Sequence, residues 1–547
     1  MDILLLITGA VWLGGTWLRV YRQAQFYQIE EYKSGRYVRW LLGGRERWLP
    51  GRPVVAAAVG MGLGLLLGEA PGSILPGVIG LLAAGVAVWQ PAPAEVKKPF
   101  KATARARRLL AAAFVVAALL LAVYLWLISL AVTSEMLAGA RVMLAGLLAF
   151  LCAPLALMLG NLLMTPVEAL FRRRFVAQAR AILERVHPTV IGITGSYGKT
   201  TTKTYLAEIL NGRYRTYPTP KSYNTIMGVC LAINQGLADN YSVDYFIAEM
   251  GAYVPGEIAG ICDLTHPTIS IVVEVGPQHL ERFGSLENTA IAKYEIIKAL
   301  PPDGVGVFNW DNPYVREMYE RGYPATRLAV SKTADPAAPL ESGPRFIAAD
   351  IHESLDGLRF TVTDGETGLS ETFATALLGQ HNITNILLAT AVAVHEGMSL
   401  KEVAFRVGGL QPAEHRLVRQ TTAQGITIIN DAYSANPVGA EGALRVLGMH
   451  TGGERLLITP GMIELGDRME QENHTLGKTA AQYATEVFLV GREQTAPVQA
   501  GLLDAGFPAE RLHVVDTLAE AVAWYQANLK PGDTVLFLND LPDTYAR

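Results

Sequence analysis

Thr189-Val190-Ile191-Gly192-Ile193-Thr194-Gly195-Ser196-Tyr197-Gly198-Lys199-Thr200-Thr201-Thr202 is the stretch on which the fold turns. Its first six residues form an apolar, β-branched run of strand length, and from Lys199 a helical pattern continues through Leu210. Glycines at such a strand-to-helix join let backbone amides close on a phosphate, and the helix N-terminus adds its dipole. Lys199 can reach the outer phosphates and the hydroxyl of Thr200 can ligate magnesium, so the loop reads as a nucleoside triphosphate site. Glycines 192, 195 and 198 recur every three residues, and none lies five before Gly198, which departs from the common Walker spacing.

Outward from this loop the pattern is parallel α/β. Short β-branched runs at Tyr245 to Glu249, Ile269 to Val275 and Val305 to Asn309 alternate with helical stretches. Residues 186–410 are thus predicted as a central ATP-binding domain, with a β-rich insert at 325–378 forming hairpins beside the main sheet. Pro336 and Pro339 mark a loop within it. A second α/β series over 411–547 has predicted strands at Ile426 to Asn430, Arg455 to Thr459, Glu486 to Val490, His513 to Val515 and Thr534 to Leu538. This is the pattern of an open, Rossmann-like sheet.

Residues 1–166 differ in kind. Of the chain's 547 residues, 50% are hydrophobic, and they concentrate here. Five stretches, 2–18, 53–70, 73–90, 109–133 and 142–164, are long enough to cross a hydrocarbon layer, which needs roughly 20 residues of helix. The second and third are joined by Glu69-Ala70-Pro71-Gly72 and read as a tight hairpin whose glycines suit close packing. Arg19, Arg22, Lys33, Arg36, Arg39, Arg45, Arg47 and Arg52 follow the first stretch, and Lys97, Lys98, Lys101, Arg105, Arg107 and Arg108 precede the fourth. Basic residues favour the cytoplasmic side, which places the N-terminus outside, a connector at 167–185 inside, and the catalytic domains in the cytoplasm of a multi-pass cell-membrane protein. A net charge of −4 gives no general attraction to nucleic acid. The three cysteines, Cys152, Cys230 and Cys262, have no paired spacing for a disulfide framework or a thiolate zinc site. An ATP-driven transporter is disfavoured, because the spans carry almost no buried charge.

The phosphate-loop spacing resembles that of the Mur ligases, the enzymes that build the peptidoglycan stem peptide. Further segments carry the resemblance in order: Ser222-Tyr223-Asn224 with Gly228, Glu249-Met250-Gly251, Gly276-Pro277-Gln278-His279-Leu280, Ala292-Lys293, and Gly379-Gln380-His381-Asn382 with Asn385. Arg416, Asp431-Ala432-Tyr433-Ser434-Ala435-Asn436-Pro437 and Gly461-Met462-Ile463-Glu464-Leu465-Gly466 look like the D-alanyl-D-alanine-adding (MurF) branch. The resemblance implies ATP and Mg2+ as cofactors. It assigns catalytic roles to Lys199, Glu249, His279 and Lys293, and a nucleotide site to Gly195, Ser196, Tyr197, Gly198, Lys199, Thr200, Thr201, His381, Asn382, Asn385, Arg416 and Asp431. Metal contacts fall to Thr200, Glu249, His279 and a carbamylated Lys293. Asn382 also has the position and chemistry of a helix cap. The implied reaction joins the carboxylate of a muramoyl-peptide or related acceptor to D-Ala-D-Ala or another amine through an acyl phosphate.

Some positions depart from the family pattern. Thr225 stands where a second asparagine is usual, Glu274 where asparagine is common, Asn430 where aspartate is common, and residues 537–542 replace a lysine- and glycine-rich motif. The five membrane stretches also occupy the place of the family's soluble UDP-sugar-binding domain. These departures touch acceptor recognition and leave the ATP site intact. They raise the alternative of a lipid-linked or polymeric acceptor, with the lipid bilayer as partner.

Overall fold

The computed structural model describes residues 2–67, 74–90, 100–132, 134, 137–335, 343–413, 416–432 and 435–539. The turn at 69–72, Lys97 and Lys98, the ends of the second, third and fourth apolar stretches at 68–70, 73 and 133, Pro336 and Pro339, Tyr433 and Ser434, and the segment from 540 onward lie outside the described residues. The chain divides into two compact units, 1–173 and 174–546.

The first unit is helical: α1 (Asp2–Ile29), α2 (Ser34–Leu42), α3 (Arg45–Trp48), α4 (Gly51–Leu67), α5 (Leu75–Val88), α6 (Ala104–Ala131), α7 (Ala138–Leu151) and α8 (Ala153–Val186). Three of these, α1, α6 and α8, are long and apolar enough to cross a membrane, whereas α4, α5 and α7 are shorter apolar helices. The stretch expected as one span at 142–164 is divided at Cys152. A helix end leaves backbone carbonyls without intrahelical partners, and here the Arg19 guanidinium donates to the Phe150 carbonyl at 3.1 Å. α1 runs on past residue 18 because Val20, Ala24 and Tyr27 are buried with Tyr37 and Leu109 in a small core. The expected close packing of the second and third stretches is present: a Cβ on Gly60 would lie 2.4 Å from that of Ala83.

The connector expected at 167–185 is the continuation of α8. Its residues Ala179, Ile182 and Leu183 are buried in the core of the second unit, so this segment is held by apolar packing.

The second unit holds two sheets. The first contains β1 (Thr189–Thr194), β2 (Thr216–Pro218), β3 (Tyr245–Glu249), β4 (Ile269–Val272), β5 (Val305–Asn309), β6 (Thr326–Ser331), β7 (Phe346–Ser354), β8 (Gly357–Asp364) and β9 (Ser370–Thr375), in the order 2-3-1-4-5-6-7-8-9. Strands β1 to β7 are parallel, and β8 and β9 continue the sheet through the antiparallel pairs β7–β8 and β8–β9. The insert is therefore an extension of the main sheet, with β7 pairing on β6 at Val330 and Phe346; this covers an edge that would otherwise present unpaired backbone groups. β4 ends earlier than expected, because the carbonyls of Val273 and Glu274 accept from the Asn309 side chain and the Ser196 amide instead of a ladder partner.

Alternation along β1 builds both faces of the core. Ile191 and Ile193 pack with Leu206, Ile386 and Leu387 on one side, while Val190 packs with Ala248, Ile258 and Ile296 on the other. The second sheet has the order 10-11-15-12-13-14, from β10 (Val418–Thr421), β11 (Thr427–Asp431), β12 (Arg455–Thr459), β13 (Glu486–Val490), β14 (Leu512–Val515) and β15 (Thr534–Leu538). β10 is an antiparallel edge strand that was not expected: its polar, largely exposed sequence lacks the apolar run that reveals the others.

Candidate active site

Strand β1 lies between β3 and β4, with Ile193 level with Glu249 and Ile191 level with Ile269. The carboxyl ends of all three strands thus open into one crevice, the place where open α/β sheets bind ligands. Gly198 there has φ 75°, and a Cβ on it would meet Asn385 Oδ1 at 2.6 Å and Val273 Cγ1 at 2.7 Å. Only glycine fits that backbone and that gap. Lys199 folds over the loop, donating to the carbonyls of Gly195 at 2.6 Å and Ser196 at 3.1 Å. Burial lowers its pKa to about 8, with the Glu249 charge opposing the shift, so the amine remains mainly cationic at neutral pH.

Glu249 is a buried carboxylate, 1% exposed, where an isolated strand-end glutamate would be solvated. Oε2 accepts from Thr200 Oγ1 at 3.0 Å and Lys203 Nζ at 3.0 Å, and Oε1 accepts from Asn224 Nδ2 at 3.2 Å. Lys203 was not singled out in the sequence; its sole signal there is its place one helical turn beyond Lys199, on a face that proves to be buried.

On one side of the loop, Ser196, Lys199, Asn224, His279 and Lys293 line a cavity of about 30 Å3. Lys293 is 3% exposed, on the helix Leu286–Lys298, and its amine stands 5.7 Å from the centre of the Phe283 ring. Burial, reinforced by the charge of Lys199, pushes its pKa well below that of an ordinary lysine. His279 Nδ1 is hydrogen-bonded to Glu464 Oε2, and Leu280 N donates to the Glu464 carbonyl at 3.0 Å. Burial lowers the His279 pKa, with Glu464 opposing. His279 and Glu464 both have left-handed backbone, φ 58° and 61°, a conformation that costs a non-glycine residue about 1 to 2 kcal/mol and is found concentrated at functional sites.

Glu464 had no assigned role in the sequence, since its contact with His279 spans 185 positions. A carboxylate behind a histidine fixes the ring and raises its basicity. Glu464→Ala is accordingly expected to lower kcat by about 10-fold, read by steady-state phosphate release; an unchanged kcat would remove Glu464 from the machinery.

On the other side, Tyr197, Gly198, Thr201, His381, Asn382, Asn385, Arg416 and Asp431 line a cavity of about 180 Å3. The sequence had singled out all eight. Asn385 Oδ1 accepts from Thr202 Oγ1 at 3.1 Å, and Asn382 Oδ1 accepts from Tyr205 at 3.1 Å. Asn382 is not the helix cap expected: Gln380 holds that position, and the Asn382 amide donates back to the Leu378 carbonyl at 2.7 Å. The Nδ1 of His381 and the hydroxyl of Tyr197 are buried without a hydrogen-bond partner among the described residues. Such orphaned polar atoms, facing a cavity, suit a ligand that hydrogen-bonds them. Burial lowers the His381 pKa to about 4, so its ring is neutral at physiological pH, and burial raises Asp431 to about 6, with Arg416 opposing. Glu274, Asp311 and Lys332 also line this cavity and were not read as nucleotide contacts.

Among the described residues, no cluster of three or more His, Cys, Asp or Glu side chains is placed to hold a metal. Thr200 Oγ1 and Glu249 nevertheless stand together beside the loop. That small oxygen set fits magnesium, which keeps several waters and takes substrate phosphate oxygens as ligands.

The chain matches the Mur ligase middle domain over residues 193–393 and the Mur ligase, glutamate ligase domain over 415–539. It is 32% identical over 375 residues to the UDP-N-acetylmuramoyl-tripeptide--D-alanyl-D-alanine ligase of Mycobacterium leprae, covering 64% of this chain and 70% of that protein. Among solved structures, MurF of Acinetobacter baumannii aligns with a TM-score of 0.58 at 25% identity, over 68% of this chain and 78% of that one. MurF of Thermotoga maritima in complex with ADP aligns with a TM-score of 0.57 at 24% identity, over 67% and 80%. Central and C-terminal domains, phosphate loop and relatives agree: this chain belongs to the Mur ligase family and is an ATP-dependent amide-bond ligase.

Proposed function

We propose that the chain adds D-Ala-D-Ala to a muramoyl-peptide acceptor in cell-wall synthesis, from the cytoplasmic face of the membrane that its N-terminal helices span. The observation that carries the reading is the phosphate loop's position between two cavities: Lys199, His279 and Lys293 line one, and the nucleotide candidates line the other. An acceptor carboxylate attacks the γ-phosphorus of ATP, ADP leaves, and an acyl phosphate forms; the amine then displaces phosphate to give the amide. Lys199 holds the transferring phosphoryl group, and Arg416 and Asp431 close on the nucleotide from the last domain. Thr200 and Glu249 would hold magnesium, which would neutralise charge on the γ-phosphate.

Lys293 acts in this reading as a carbamate. A buried, neutral amine adds to CO2 with formation of a C–N bond and release of a proton, which turns a cation into a carboxylate-like group beside Lys199. Lys293→Ala is expected to lower kcat by about 100-fold, with partial rescue by formate or acetate, and to abolish a 13C carbamate signal seen in 13CO2-equilibrated wild type. Full activity in the variant would exclude the role.

The orientation stands whether α4 and α5 cross or turn back within the membrane, because a hairpin returns the chain to the same side. Basic residues follow α1, precede α6 and follow the apolar part of α8, which keeps those positions inside. The test is phosphate release by detergent-purified full-length protein with ATP and magnesium. Release that requires both UDP-MurNAc-tripeptide and D-Ala-D-Ala supports the MurF reading. Release only with a lipid-linked or polymeric acceptor keeps the chemistry and moves the substrate to the membrane.

A further inference from the structure

Within the first unit, four arginines, Arg19, Arg22, Arg47 and Arg52, line a cavity of about 430 Å3, with Glu46 the one carboxylate among the described lining residues. Arg19 is 5% exposed, and its guanidinium donates to the carbonyls of Phe150, Arg47 and Trp48 at 3.1, 3.0 and 3.2 Å. These acceptors are neutral and leave its charge uncompensated; among the described residues it makes no salt bridge. Arg22 donates to the Gln90 carbonyl at 3.4 Å, so the far end of α5 closes the same wall. Arginine presents donors in a fork that matches phosphate oxygens, and the cavity is in the size range of small-ligand sites.

The surroundings specify the rest of the ligand. Arg47 lies over the Trp40 ring at 4.8 Å and Arg52 over Trp89 at 5.0 Å. Trp48 and Trp89 are exposed, as are Trp17 and Leu18, just before Arg19 on α1, and Val55 and Val59, one and two helical turns past Arg52 on α4. Tryptophan and arginine at the end of apolar helices mark the level of the head groups, and basic pockets between membrane helices at that level bind phosphate-bearing lipids. We infer that this cavity binds the phosphate or pyrophosphate head of a lipid, whose hydrocarbon lies along the exposed apolar faces of α1 and α4. The inference rests on the first unit being membrane-embedded, which resistance of the protein to alkaline carbonate extraction checks separately.

The experiment is binding by detergent-purified full-length protein of three probes: geranylgeranyl pyrophosphate, inorganic pyrophosphate and geranylgeraniol. Saturable binding of the first is expected, with inorganic pyrophosphate competing only at about 100-fold higher concentration and the alcohol failing to compete at that level. The double variant Arg22→Gln/Arg52→Gln, which leaves the buried Arg19 in place, should bind the lipid pyrophosphate about 10-fold or more weakly at an unchanged melting temperature. Should the variant fail to fold, competition on wild type still decides. Inorganic pyrophosphate of equal potency overturns the lipid assignment, geranylgeraniol of equal potency overturns the phosphate assignment, and no saturable binding, or undiminished binding by the folded variant, overturns both.

Discussion

Lys199→Ala is expected to reduce phosphate release by about 1,000-fold while leaving the fold intact, because the loss falls on charge stabilisation in the transition state. The side chain's present partners are two carbonyls of its own loop, which can turn to water or to neighbouring amides. Its amine has a pKa of about 8 and carries its charge where the γ-phosphoryl group must pass. Loop amides and the helix terminus still bind the nucleotide in the variant, so KM for ATP should rise far less than kcat falls. Steady-state turnover with saturating substrates reads the effect. Activity within about 10-fold of wild type would mean that another cation meets the phosphate, with Arg416 and Lys332 as the candidates in the adjoining cavity.

The loop was legible because its chemistry is local: strand, glycines, lysine and helix start are consecutive. The buried parallel strands were legible for a related reason. Arg455–Thr459, Glu486–Val490 and Thr534–Leu538 are found at their predicted bounds, since a strand covered on both faces is a short continuous apolar run. What escaped depends on distance or on exchange of partners. The His279–Glu464 contact joins two domains through two left-handed residues, and no spacing rule anticipates it. The break at Cys152 depends on Arg19, which takes the carbonyl of Phe150, 131 residues further along the chain. Asn382 had the composition and position of a cap, but the cap falls two residues earlier, at Gln380, and the Asn382 amide turns back to Leu378. Sequence thus located the candidate groups of the nucleotide side, while the partners that hold them came from tertiary packing.

Lys203→Met separates that packing from the chemistry. Lys203 and Glu249 are 3% and 1% exposed and form an ion pair at 3.0 Å. Removing the cation leaves a buried carboxylate with, among the described residues, the Thr200 hydroxyl and the Asn224 amide as its side-chain donors. Breaking one side of a buried pair costs about 3 to 5 kcal/mol. The two remaining hydrogen bonds favour the lower end, and at about 2 to 4 °C per kcal/mol for a domain of 150 to 250 residues the melting temperature should fall by roughly 6 to 12 °C. The double variant Lys203→Met/Glu249→Gln removes both charges, and replacing a buried pair by neutral groups is close to neutral in stability. It should therefore melt near wild type yet release no phosphate, because the carboxylate proposed to hold magnesium is gone. Thermal melting and phosphate release on the same three proteins decide the matter. A Lys203→Met variant as stable as wild type would show that Glu249 does not need the pair, and a fully active double variant would remove Glu249 from the metal site.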